Sequence, residues 1–169
     1  MKFITRLLFL SLALAAMPLS AFAQTHDWTS IGGTGILDPK AGAFKVTFTG
    51  PTLKFNSTSS GDIIARYPVT NTYGSGTSKT PPWTTLWATF KDNSPNGSVT
   101  TRLYEIDKCT GNETLICTIN STNNLSDQCA SCSFSSSTFD FANNTYWVEV
   151  MLSRSGTSAA EEIHSLAVN

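Results

Sequence analysis

Charge is scarce in this chain. Asp, Glu, Lys and Arg make up 14% of its 169 residues, and basic residues nowhere form a run. Nucleic-acid capture depends on clustered Lys and Arg that displace counterions, so that class of partner is excluded. Histidine is scarcer still, with His26 near one end and His164 near the other. No Gly-x-Ser-x-Gly elbow and no phosphate-cradling glycine loop occurs. A Ser-His-Asp arrangement is then only formally open, and the two histidines read as solvated side chains. There is no internal repeat, no domain linker and no amphipathic helical stretch.

Long apolar runs are limited to one. Lys2 and Arg6 precede Leu7–Met17, and Ala21-Phe22-Ala23 follows. This is the pattern of a signal peptide cleaved before Gln24. The run is shorter than the ~20 residues that span a bilayer. The residue directly after the cut is Gln24 and not cysteine, which argues against a lipid anchor. Removing residues 1–23 leaves 146, enough for one domain with one core, and 9 basic against 12 acidic residues, a net charge of −3. The expected localisation is therefore secreted or periplasmic.

What the chain does have is alternation. Leu86, Ala88 and Phe90 share one side of a strand over Trp83–Lys91, with Trp83, Trp87 and Thr89 on the other. Asn96-Gly97 supplies a residue pair suited to positive φ before Ser98–Asp107, and a second reversal around Thr110–Glu113 leads into Thr114–Asn120. These three segments read as one antiparallel meander, with Leu115, Cys117 and Ile119 on one face of its last strand. Gly42–Thr49 is a strand with Phe44, Val46 and Phe48 together. Asp62–Val69 buries Ile63, Ala65, Tyr67 and Val69. Thr145–Ser153 puts Tyr146, Val148, Val150 and Leu152 on one side. Glu162–Val168 is read as the closing strand in preference to a short helix. Asn71–Pro82 and Ser121–Ser131 are long loops, and Phe139 with Phe141 marks a short extended piece. The pattern predicts an all-β, single-domain antiparallel β-sandwich, jelly-roll-like, of about eight to ten strands over residues 24–169.

Cys109, Cys117, Cys129 and Cys132 predict two disulfides in an exported chain, with local pairs Cys109–Cys117 and Cys129–Cys132 preferred over long-range ones. A tetrathiolate zinc site is disfavoured because the spacing is not that of a zinc knuckle. A redox Cys-x-x-Cys is disfavoured because no βαβ unit surrounds it.

Three tryptophans carry the functional expectation. Trp83 and Trp87 stand opposite the core set of their strand, and Trp147 stands opposite Val148 and Val150. Exposed indoles on a sheet stack on sugar rings, with nearby amides and hydroxyls binding the sugar's hydroxyls. The competing reading packs Trp83 and Trp87 under the Asn71–Pro82 loop. Paired carboxylates for glycoside hydrolysis are available among Glu105, Asp107, Asp140 and Glu149, but strand carboxylates are more often ion-paired. Asp92-Asn93-Ser94-Pro95-Asn96 has oxygens enough to contribute to a structural calcium but lacks the EF-hand spacing, and reads first as a turn. No other cofactor is expected.

In outline the chain resembles small exported carbohydrate-binding modules, although no stretch carries a family-specific motif. That resemblance implies a non-enzymatic binder of glycans. The alternatives are an interaction protein of the cell envelope acting through strand edges, and a hydrolase.

Overall fold

The structure is a computed structural model and describes residues 27–73, 80–158 and 160–169. The leader, its cleavage site, His26 and part of the Asn71–Pro82 loop lie outside the described residues. Among those described, eleven strands run as β1 (Trp28–Ile31), β2 (Ile36–Leu37), β3 (Val46–Thr49), β4 (Thr52–Phe55), β5 (Gly61–Val69), β6 (Thr85–Asp92), β7 (Gly97–Asp107), β8 (Glu113–Asn120), β9 (Asn124–Ser133), β10 (Asn144–Arg154) and β11 (Glu161–Val168). No helix among them is long and apolar enough to cross a membrane.

The strands form two antiparallel sheets packed as a β-sandwich. The first has the order β3-β4-β11-β6-β9, with β1 lying end to end with β4 along the same edge of β11. The second has the order β2-β5-β10-β7-β8. Strands with clean alternation occupy the centres. Ile63, Ala65 and Tyr67 of β5, Leu86, Ala88 and Phe90 of β6, and Val148, Val150 and Leu152 of β10 all point into the core. Burial of such side chains contributes about 1.5–3 kcal/mol each for the larger ones, which makes these strands the frame.

The expected single meander is instead split between the sheets. β6 belongs to the first, while β7 and β8 pair in the second. The Asp92–Gly97 connection therefore arches from one layer to the other. An arch and a hairpin need the same alternation on both sides of a turn, so the pattern cannot separate them. Gly97 is also present for a different reason than expected. Its φ is not positive, but a Cβ there would lie 1.8 Å from Glu161 Oε1.

Three local readings change as well. Gly42–Thr49 is not one strand; Ala43–Lys45 is a turn of 3-10 helix, and Phe44 and Phe48 stay exposed. A bulge between Leu103 and Tyr104 turns Leu115 to the outside, while Ile119 remains buried. Ser121–Ser131 is mostly strand β9, which forms because β6 offers it a free edge, not because its own polar sequence favours burial. Phe139 and Phe141 form no strand; Phe139 inserts between Trp83, Phe134 and Tyr146 to cap one end of the core.

Both local disulfides are replaced by one long-range bridge, Cys117–Cys132, with Cα atoms 6.1 Å apart. It ties edge strand β8 of one sheet to edge strand β9 of the other. Cys109 and Cys129 are exposed free thiols. The geometry explains both failures. Cys117 lies opposite Leu103, six residues before Cys109 and so on the order of 20 Å down the hairpin. Cys129 and Cys132 are an odd number of residues apart in one strand, so they face opposite sides. Cys132 turns inward to the bridge, and Cys129 turns out beside Thr89.

Candidate functional site

The three tryptophans are dispersed to three environments. Trp83 precedes β6 and is 2% exposed, its ring edge-on to Phe139 at 5.1 Å and to Phe141 at 6.2 Å. It is a core residue, not a surface contact. Trp87 points out from the first sheet, and Trp147 points out from the second. No common plane joins them.

On the first sheet, Trp87 is 40% exposed. Its cross-strand neighbours are Ala167 of β11 and Ser131 of β9, both too small to cover an indole face. The Nε1–H donates to Asn169 Oδ1 at 3.2 Å, which fixes the ring's orientation. One step along β6, Thr89 lies between Ser165 and Cys129. Beyond Ala167 the surface dips into a cavity of about 440 Å³ over the β1–β11 seam, lined by Thr29, Ser30, Ile31, Thr34, Ser165 and Ala167. A flat aromatic ring thus stands beside a depression that mixes hydroxyls with the exposed Ile31, and in which the Ser30 and Thr34 hydroxyls bond each other.

Farther along the same face, a bulge at Ile163–Ser165 displaces His164. Its Nδ1 lies 3.1 Å from Thr52 Oγ1, and its Nε2 lies 3.7 Å from Asp127 and 4.0 Å from Glu162. His164 is therefore a partly covered, hydrogen-bonded residue, not the freely solvated one expected.

On the second sheet, Trp147 is held between side chains from both flanking strands. Tyr104 of β7 stacks on it at 5.0 Å and 23°, and the Arg66 guanidinium of β5 lies 4.9 Å from its centroid. Arg66 also reaches Asp38 at 2.9 Å and Glu149 at 3.5 Å, and Glu149 accepts from Arg102 at 3.2 Å. The backbone N–H of Lys40, then Arg66, hold the Asp38 carboxyl below its ordinary range. This indole has little free face to offer a ligand.

The carboxylates considered for hydrolysis have structural partners. Glu149 sits in the ladder just described. Glu105 accepts the Tyr146 hydroxyl at 3.0 Å. Asp107 accepts the N–H groups of Cys109 and Thr110 in the β7–β8 turn, and Asp140 caps the turn into β10. Those turn bonds lower both aspartates' pKa values, led by the Thr110 N–H for Asp107 and the Asn143 amide for Asp140.

Sequence reasoning missed Ala167 and Ser131 beside Trp87, and Ser165 and Thr29 in the adjoining depression, because only the pairing of distant strands brings them to this face. Tyr104 left a local signal, since it alternates with the buried Leu103.

No protein-family model matches this chain, and no curated protein matches it in sequence. Among solved structures, the xylan-binding module CBM15 is similar at 12% identity and a TM-score of 0.48, over 85% of this chain and 95% of that one. TmCBM61, solved in complex with β-1,4-galactotriose, is similar at 11% identity and a TM-score of 0.44, over 85% and 87%. A family two carbohydrate esterase from Cellvibrio japonicus is similar at 10% identity and a TM-score of 0.44, over 84% of this chain. This chain spans 33% of that esterase. None of these similarities assigns a role to a residue of this chain.

Proposed function

We propose that this chain is an exported, non-enzymatic glycan-binding domain whose contact surface is the outer face of the first sheet, centred on Trp87. The observation that carries the reading is the open indole, 40% exposed and flanked by Ala167 and Ser131, beside the Thr29–Ser165 depression. Axial C–H groups of a pyranose stack on such a ring, and the surrounding hydroxyls exchange hydrogen bonds with those of the sugar. A β-1,4-linked chain equatorial at both linked carbons suits this face best, because that linkage makes a flat ribbon that can lie along a strand. Trp147, on the opposite sheet with its faces taken by Tyr104 and Arg66, has no part in this contact surface, and Trp83 belongs to the core. Export is supported by the Cys117–Cys132 bridge, which persists in oxidising compartments, and by the leader pattern.

The test is a titration of the purified protein with a panel of soluble β-linked polysaccharides, read by tryptophan fluorescence. Trp87→Ala should abolish the response while leaving the melting temperature within about 2 °C of the parent, as expected for a surface change. Retained binding in that variant would overturn the reading.

A second reading has one observation in its favour. Phe48 on edge strand β3 is 50% exposed, and Leu125 on edge strand β9 is 80% exposed. Unpaired edges with apolar side chains suit assembly with another envelope protein. Size-exclusion chromatography showing a monomer at every concentration would count against self-assembly through these edges.

A further inference from the structure

At one end of the sandwich, β6 and β10 finish where β7 and β11 begin, and the chain buries three charged side chains there. Glu161 is 1% exposed, Asp92 2% and Arg154 5%. Asp92 and Glu161 are direct cross-strand partners. Partners of this kind hold their Cβ atoms about 4.5–5.5 Å apart, within reach of a hydrogen bond between the two carboxyl groups. Gly97 closes over the pair, since a Cβ there would lie 1.8 Å from Glu161 Oε1.

Hydrogen bonds tell the two acids apart. Asp92 accepts the Ser121 hydroxyl at 2.5 Å and the Ser94 N–H at 3.5 Å, and such donors favour its ionised form. Neither oxygen of Glu161 has a hydrogen-bond partner among the described residues. Arg154 directs its Nε and one terminal nitrogen to the carbonyls of Ser59 and Asn56, with its guanidinium 4.4 Å from the Phe55 ring centre. Two carboxylates against one guanidinium leave a single negative charge in excess. One proton removes that excess, and on Glu161 it also supplies a donor for which Asp92 is the acceptor. The other charges around this end are only partly buried. Lys54 and Lys91 flank Glu162 on the outer face, and Lys45 reaches Gly61, the cross-strand partner of Arg154.

We infer that one proton, carried by Glu161 and accepted by Asp92, forms a pH-sensitive clasp that fastens the Asp92–Gly97 arch to β11. The clasp acts beside a second tie at the same joint, where the Asn93 amide oxygen accepts the backbone N–H of Ala160. Burial raises the Glu161 carboxyl to about 7, Arg154 pulls it down and Asp92 pushes it up further. In the unfolded chain a Glu ionises near ~4.3. Between those values the native protein holds a proton that the unfolded chain has lost. The clasp's contribution is therefore full below the unfolded value, declines as pH rises, and is gone above about 7. Once ionised, Glu161 is a buried carboxylate without donors beside a second carboxylate, and the arch is pushed away from β11. This inference is independent of glycan binding.

The experiment is thermal unfolding of the purified protein across a pH series, beside infrared spectroscopy of its carboxyl groups. Glu161→Gln keeps the shape and has no proton to lose. From about pH 5 to about pH 8, the melting temperature of the parent should fall by about 5–10 °C more than that of this variant. At about pH 6, where solvated Asp and Glu are ionised, the parent should show the carbonyl band of a protonated carboxyl, absent from Glu161→Gln. If that variant fails to fold, Asp92→Asn answers the same question. It removes the neighbouring charge, so the band should fade at lower pH than in the parent. Absence of the band from the parent at about pH 6 would overturn the inference. So would parallel melting profiles in the parent and Glu161→Gln, or a band whose midpoint is unmoved by Asp92→Asn.

Discussion

On the first sheet Trp87 stands between Ala167 and Ser131, and on the second Trp147 stands between Arg66 and Tyr104. Both indoles occupy outward positions of central strands, so strand geometry treats them alike. The difference comes from what neighbouring strands place beside them. Small neighbours leave one ring open to a ligand. Large, charged neighbours consume the faces of the other in stacking and ion pairing. A surface tryptophan is a binding platform only when the flanking strands leave it uncovered, and those strands lie up to 80 residues away in the chain, as Ala167 does from Trp87.

That contrast can be broken or sharpened by substitutions of decreasing effect. Trp83→Ala is expected to cost about 3–5 kcal/mol in urea unfolding, because it empties the space beside the stacked Phe139 and Phe141 rings. A small loss would mean that Trp83 is no more a core residue than Trp87. Replacing Cys117 and Cys132 together by Ser should cost about 3 kcal/mol, since the bridge closes a loop with a separation of 15 residues. Quantifying free thiols before and after reduction checks this: Cys109 and Cys129 should react in the native protein, and two further thiols only after reduction. Trp147→Ala should cost about 1–2 kcal/mol through the lost ring and guanidinium contacts, with glycan titration at the other face unchanged. Loss of binding there would erase the distinction between the faces. Smallest in stability is Ala167→Leu, expected within ~0.5 kcal/mol of the parent. It should nevertheless abolish binding by covering the flank of Trp87, and unimpaired binding would show that this flank is not used.

Much of the frame was legible because burial and period coincide. Through the middle of β5, β6 and β10 every second residue is apolar and lies in the core, the pattern ending at the buried Asp92 in β6 and Arg154 in β10. Where the two part, the reading failed. Asn124–Ser133 has no apolar alternation, yet it is a strand because its backbone finds partners on β6. Phe44, Val46 and Phe48 alternate well, yet the segment lies at a sheet margin with no second layer to bury both phenylalanines. Trp83 continued the outward phase of β6 on paper, but the strand begins at Thr85, so the phase did not apply to it.

The candidate site was legible in kind and not in composition. Outward indoles were identified from alternation, and Trp87 is one. Its surroundings, including Ala167, Ser131 and the depression over β1, come from strands whose pairing no local pattern encodes. The same holds for the end of the sandwich. The Asp92–Asn96 oxygens were visible, whereas Glu161 joins them only because β11 lies beside β6.

By itself, the order of residues determined that this chain makes strands, which side of the central ones is apolar, and that its sheets must stack to hide those sides. Side-chain period and hydrophobic burial act within a few residues, and so they can be read locally. Tertiary structure alone decided which strands share a sheet, which cysteines meet, and which tryptophan stays open. Those outcomes depend on edges and neighbours brought together across the whole chain, and no short-range pattern contains them.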